Sequence, residues 1–148
     1  MDEEYYHVQD ALGLIIYRTG LALKSALQRR FKENGFDITA EQWVIIRHLW
    51  AEEGLSQREI GEKTAKDKPN ITRMLDALER KRLIFRQPDP QDRRKFCIYL
   101  TKEGKQLHER LLPLTRDFRK LVAQDLAQPE IDLIKDCLTK INRNIGIL

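Results

Sequence analysis

Apolar residues fall at helical spacing through the first quarter of the chain. Val8, Leu12, Ile15, Ile16, Leu23 and Leu27 recur close to a 3.6-residue period between Val8 and Lys32. Asn34-Gly35 then supplies a C-terminal stop. Thr39, with Gln42 three residues on, reads as a capping box that opens a second helix through Trp43, Ile46, Leu49 and Trp50. Glu53-Gly54 closes it. A second capping box at Ser56 and Glu59 starts a short helix ending near Thr64, with Leu55 placed to staple against Ile60. The turn Lys66-Asp67-Lys68 leads to Pro69, a residue well tolerated at a first helical position. Beyond it Ile71, Leu75 and Leu78 share one face.

At Leu83 the period changes. Leu83 to Arg86 and Lys95 to Leu100 read as strands, the second with Phe96, Ile98 and Leu100 on one side. The loop between them, Gln87 to Arg94, has two prolines and two aspartates, so the hairpin has a long tip. Helical periodicity returns through Leu107, Leu111, Leu114, Phe118, Leu121 and Val122, where Pro113 predicts a kink or local break. Pro129 opens a last helix carrying Ile131, Ile134, Leu138, Ile141 and Ile145. The expected fold is mainly α with a small β-hairpin wing (α+β). Its middle is a winged helix-turn-helix, a module that offers one helix and one hairpin tip to duplex DNA.

Charge sharpens that expectation. The 148-residue chain carries a formal net charge of only +4, with 41% hydrophobic and 34% charged residues. Between Gly54 and Leu100, however, twelve basic side chains face seven acidic ones. This third of the sequence holds more than the whole excess, and neutralising phosphates is what such an excess does. With Ile71, Leu75 and Leu78 inward, the residues Asn70, Thr72, Arg73, Asp76, Ala77 and Arg80 point outward. Arg can grip guanine and Asn adenine with two hydrogen bonds each, and the Thr methyl can meet thymine. Arg93 and Arg94 at the wing tip suit the minor groove, with Asp92 orienting one while the other reaches DNA. The expected DNA-facing set is Lys66, Lys68, Pro69, Asn70, Thr72, Arg73 and Arg80 on or before the recognition helix. Ser56, Gln57 and Arg58 join it from the preceding helix, and Arg86, Asp92, Arg93, Arg94 and Lys95 from the wing.

In these residues the chain resembles the MarR family of bacterial transcriptional regulators. The matching strings are Leu55 to Ile60, Lys68 to Asp76 and Asp89 to Arg94, followed by Tyr99-Leu100-Thr101-Lys102-Glu103-Gly104. The Asp-Arg-Arg wing followed by Leu-Thr-x-x-Gly is the most specific element. The resemblance implies a homodimer whose first and last helices intertwine, binding a pseudo-palindromic double-stranded DNA operator. It also implies a repressor released by a small phenolic or lipophilic ligand, or by cysteine oxidation. Residues 37–100 would then form the DNA-binding lobe of a single domain, with 1–36 and 101–148 as dimerisation helices. Trp43 and Trp50, seven residues apart on one face, read first as large core aromatics. The resemblance also places a ligand groove beside the second helix, for which they and Tyr17, Phe31 and Arg47 are the candidate lining. One departure is visible. Many members have glycine between recognition helix and wing, where this chain reads Lys81-Arg82-Leu83, so that Arg82 takes a left-handed backbone or adds a phosphate contact.

Other chemistry finds no support. No phosphate-binding, dinucleotide, metalloprotease or nucleophile-elbow string occurs, so no enzyme activity, cofactor or metal is expected. His7, His48 and His108 are scattered, and His48 reads as a core or boundary residue. Cys97 and Cys137 are too few for a disulfide scaffold. Cys97, near Arg93, Arg94 and Lys95, is the one candidate thiol for a redox-sensing alternative, whereas Cys137 is expected only to pack. The acidic start Met1-Asp2-Glu3-Glu4 lacks the basic stretch of a signal peptide, and the run from Leu12 to Tyr17 is short of the ~20 residues of a membrane span. A cytoplasmic location and no membrane partner follow as expectations. The competing reading from another class is a winged-helix adaptor that binds protein instead of DNA.

Overall fold

The computed structural model describes residues 11–147 and contains six helices and three strands among them. Val8, His7 and the acidic start lie outside the described residues, as does Leu148. Helix α1 (Leu12–Glu33) is followed by α2 (Ala40–Ala51), strand β1 (Leu55–Ser56), α3 (Gln57–Thr64) and α4 (Lys68–Arg80). Strands β2 (Ile84–Pro88) and β3 (Phe96–Leu100) form the wing, and α5 (Lys102–Val122) and α6 (Gln128–Asn144) complete the chain.

Local chemistry sets most of these boundaries. Asn34 ends α1, and Gly35 follows with φ +78, a conformation that costs glycine little. Both capping boxes form. The Thr39 hydroxyl accepts the Gln42 N–H at 3.0 Å while Gln42 accepts the Thr39 N–H at 3.1 Å. Ser56 and Glu59 make the same exchange at 3.2 and 2.7 Å. Helix α4 has a cap that periodicity did not reveal: the Asp67 carboxylate accepts the Asn70 N–H at 2.9 Å, and Pro69 sits in the first turn.

The sheet is antiparallel in the order β1-β3-β2. Strand β1 was not expected; it pairs Leu55 with Ile98 and Ser56 with Cys97, closing the inner edge of the hairpin. Leu55, Ile60, Ile71, Leu75, Leu78, Ile84, Ile98 and Leu100 bury together with Ile45, Ile46 and Leu49 from α2. Phe96 keeps the phase of Ile98 but lies beyond the core and stays exposed.

Helix α5 runs through Pro113 without the expected break. Leu111 and Thr115 are buried on either side of it, and the Thr115 hydroxyl donates to the Leu112 carbonyl at 3.1 Å, so packing overrides the missing N–H. At its start, Thr101 ties three elements together. Its N–H donates to the Leu83 carbonyl at 3.0 Å, and its hydroxyl donates to the Arg82 carbonyl at 2.7 Å and accepts the Gly104 N–H at 3.0 Å. Arg82 takes the left-handed backbone, with φ 59.

The outer helices are different. No residue of α6 is buried, and Leu133, Ile134, Leu138, Ile145 and Ile147 are exposed. On α1, Leu12, Ile15, Leu21 and Leu23 are exposed too.

Candidate nucleic-acid interface

Helix α4 presents the surface that its buried face predicts. Lys68, Pro69, Thr72, Arg73, Asp76 and Arg80 line one shallow groove of about 400 Å³ on its outer side. The side chains are partly ordered by one another. The Gln57 amide donates to the Thr72 hydroxyl at 2.6 Å, which in turn donates to the Lys68 carbonyl at 2.9 Å. This chain of bonds holds α3 against α4. Arg73 donates to the Asn70 side-chain oxygen. Lys68, Arg73 and Arg80 are exposed, and Asn70 and Thr72 half-buried.

Other predicted residues are occupied within the fold. Lys66 pairs with Glu41 at 2.8 Å, and Lys24 of α1 reaches the same carboxylate oxygen at 2.8 Å. Hydrogen bonds from Lys24 first, and then from Lys66, hold the Glu41 pKa below its ordinary value. Arg58 pairs with Glu62 at 3.0 Å one turn on, an exposed pair of little energetic weight. The Ser56 hydroxyl is committed to its cap.

The wing tip is built by its own aspartates. Asp89 accepts the Gln91 N–H at 2.8 Å, and Asp92 accepts the Arg94 N–H at 3.1 Å. Arg94 Nε also donates to Asp92 Oδ1 at 3.1 Å, and these bonds from the Arg94 side chain and backbone depress the Asp92 pKa. Arg93 makes no hydrogen bond or ion pair with other described residues and projects into solvent beside the exposed Lys95. Asp92 thus orients Arg94, and Arg93 has no partner among the described residues.

Arg86 departs from expectation. Its side chain is only 17% exposed and forks onto the recognition helix, with Nη2 2.7 Å from Asp76 Oδ1 and Nη1 2.6 Å from Glu79 Oε2.

The expected ligand-lining residues converge only in part. Phe31 meets Trp43 edge-on at 6.3 Å, and His108 of α5 stacks with both Trp43 (5.2 Å) and Trp50 (4.1 Å). Trp43 is buried, Trp50 is 42% exposed, and Arg47 is exposed beside them. Tyr17 stands exposed on α1, fourteen residues before Phe31 and so roughly 21 Å along the helix. Nothing local in the sequence marks His108, because its partners lie on another helix. His48 is half-buried, a boundary residue as read.

Cys97 is half-buried on the sheet face opposite the core, paired in register with Ser56 and Gln87. Cys137 does not pack as expected; it is exposed on α6, where no residue is buried. Among the described residues no group of His, Cys, Asp and Glu side chains could hold a metal ion, and no helix is long and apolar enough to cross a membrane.

Known proteins agree with this architecture. The MarR family pattern matches residues 38–96, from the approach to α2 to the first residue of β3. The transcriptional repressor NicR of Pseudomonas putida is 31% identical over 126 residues, covering 82% of this chain and 75% of that protein. The chain belongs to the MarR family. It is a helix-turn-helix transcriptional regulator, not an enzyme. Among solved MarR-type structures, S. aureus MepR in complex with DNA superposes with a TM-score of 0.83 at 27% identity, covering 94% of this chain and 99% of that one. PcaV of Streptomyces coelicolor, in complex with its natural ligand, gives 0.78 at 26% identity, covering 91% and 94%.

Proposed function

We propose that this MarR-family regulator is a repressor that binds a pseudo-palindromic double-stranded operator as a homodimer and leaves it on binding a small phenolic or lipophilic effector. The observation that carries the DNA part is the pairing, on one lobe, of an exposed recognition surface (Lys68, Arg73, Arg80) with a free arginine, Arg93, at the wing tip. One would lie in the major groove and the other in the adjacent minor groove.

Residues 37–100 form the reading lobe, and 1–36 with 101–148 join two copies. The support is the apolar surface left on α1 and α6. A 17-residue helix without buried residues is marginal in water, so a second copy of the same surface is its natural cover. Two-fold symmetry then sets the half-sites about 34–36 Å apart. The cluster of Phe31, Trp43, His108 and Trp50, whose outer member Trp50 is exposed and whose His108 feels the Arg47 charge, is the aromatic surface that would suit a phenolic effector. The protein works in the cytoplasm, where its DNA is.

In vitro selection of bound duplexes, followed by gel shift at low salt, tests this reading. An inverted-repeat motif spaced by one helical turn is expected. No enrichment of any duplex would overturn it.

A further inference from the structure

We infer that Arg86 is a positioning residue, which locks the wing to the recognition helix and masks two of that helix's carboxylates, and does not itself contact DNA. The inference rests on the DNA-binding reading above and adds how the two contact elements are held in register. Asp76 and Glu79 lie three residues apart on α4, and Asp76 lines the groove on the recognition surface, where the DNA backbone passes close by. Left alone, these two negative charges would repel the DNA backbone. Arg86 answers both at once, one terminal nitrogen to each carboxylate, at 2.7 and 2.6 Å.

Its place in the sheet explains why it can. In β2, Ile84 is buried and Phe85 exposed, so Arg86 takes the core-facing phase again. It stands opposite Ile98, a fully buried residue of β3. Beyond it Gln87 and Pro88 are both exposed. Arg86 is therefore the last inward side chain before the hairpin leaves the core, the point where the angle of the wing is set. A hairpin held there by two ion pairs to α4 carries Arg93 at a fixed distance from Arg73. Simultaneous entry into neighbouring grooves requires that geometry. The planar fork matters more than the charge, because a single ammonium cannot span both carboxylates in the same way.

A double-mutant cycle on the selected operator, with the full-length protein, tests this. In the wild type, Arg93→Ala and Arg73→Ala are each expected to weaken operator binding about tenfold. In an Arg86→Gln background, Arg93→Ala is expected to cost less than about twofold, whereas Arg73→Ala keeps its full cost. Arg86→Lys is expected to restore little of the coupling. A general loss of structure would not separate wing from helix in this way. Additive costs for Arg86 and Arg93, with a salt slope flattened by about one unit in Arg86→Gln, would mean that Arg86 touches phosphate and overturn the inference. Should Arg86→Gln fold poorly, D76N/E79Q removes the acceptors and leaves the arginine. The same loss of Arg93 coupling is then expected, and full retention of it overturns the inference. A wild-type protein that binds no selected duplex would overturn the DNA-binding reading itself, before any variant is compared.

Discussion

The imidazole of His108 lies flat against the indole of Trp50, ring centroids 4.1 Å apart and planes 14° from parallel. The same ring stacks with Trp43 at 5.2 Å, and its Nδ1 is buried with no hydrogen-bond partner among the described residues. The ring joins α2 to α5, hence the reading lobe to the long helix that leads out of it. Burial lowers its pKa first, the Arg47 charge on α2 lowers it further, and Glu109 on α5 opposes them.

The sign of the pH effect follows. Unfolded histidine titrates near 6.5, whereas folded His108 stays neutral to lower pH. Between the two values the unfolded chain binds more protons, so this contribution to stability is complete above about pH 6.5 and falls as the pH drops through it. His48 shifts the same way, by burial first and then by Lys63 and Arg47. Thermal melts from pH 7.5 to 5 are expected to show falling stability, and His108→Phe to flatten part of the fall while keeping the stack. An unchanged slope in that variant would assign the pH dependence elsewhere.

Gly104 admits no side chain. A Cβ there would lie 2.1 Å from the Leu83 carbonyl oxygen, a backbone atom that cannot swing aside. That carbonyl also accepts the Thr101 N–H, so the clash falls where recognition helix, wing and α5 meet. Gly104→Ala is expected to destabilise by about 3 kcal/mol, the upper end of overpacking costs. Denaturant midpoints measure it, and a loss under about 1 kcal/mol would show that α5 can slide without penalty.

Arg82 poses the opposite case. Its φ of 59 is left-handed, which costs a residue with a Cβ roughly 1–2 kcal/mol, while glycine gains unfolded-state entropy in exchange. Arg82→Gly is expected to be neutral or to stabilise by up to about 1 kcal/mol in chemical denaturation. Clear destabilisation would mean that the exposed arginine makes an interaction worth more than its backbone strain.

What was legible in the sequence was what is local. Thr39 and Ser56 announce their helices because the partner in each capping box lies three residues on, and Ile71, Leu75 and Leu78 reveal a face by spacing alone. Asp67 carries no such signature as a cap, because between Lys66 and Lys68 it reads equally well as part of a charged turn. Strand β1 is two residues long and exists only through its pairing with Ile98 and Cys97. An arginine near a wing has the chemistry of a DNA contact, and the two carboxylates that pair with Arg86 come from α4, where no periodicity points to them. Contacts between residues distant in sequence exist only after folding and leave no local pattern.

Base reading and phosphate attraction separate by experiment. Arg73 is exposed on the outer face of α4 and held by Asn70, which suits a directed contact with a base edge. Lys68, at the same end of the helix, is an exposed point charge. Arg73→Ala is expected to reduce discrimination at one operator position by about 1–3 kcal/mol, whereas Lys68→Ala weakens all duplexes alike and flattens the salt slope by about one unit. Equal losses on operator and random DNA in Arg73→Ala would place that arginine on phosphate.

The final prediction concerns the surface that the single chain leaves uncovered. Leu133 is 62% exposed on α6, in a helix with no buried residue, and Ile134 and Leu138 are exposed near it. Burying a leucine side chain is worth about 1.5–3 kcal/mol, and a two-fold interface buries it twice. Leu133→Asp should therefore weaken dimerisation by about 3 kcal/mol or more, roughly a hundredfold in the dissociation constant. Sedimentation across a concentration series measures that shift. Because the reading lobe is built from α2, α3, α4 and the wing, its own fold should survive, with the core around Ile71 and Ile98 intact. Operator affinity should fall with the dimer, while the weak binding of one lobe to a half-site persists. If Leu133→Asp remains a dimer of unchanged affinity, the copies do not meet through this face of α6.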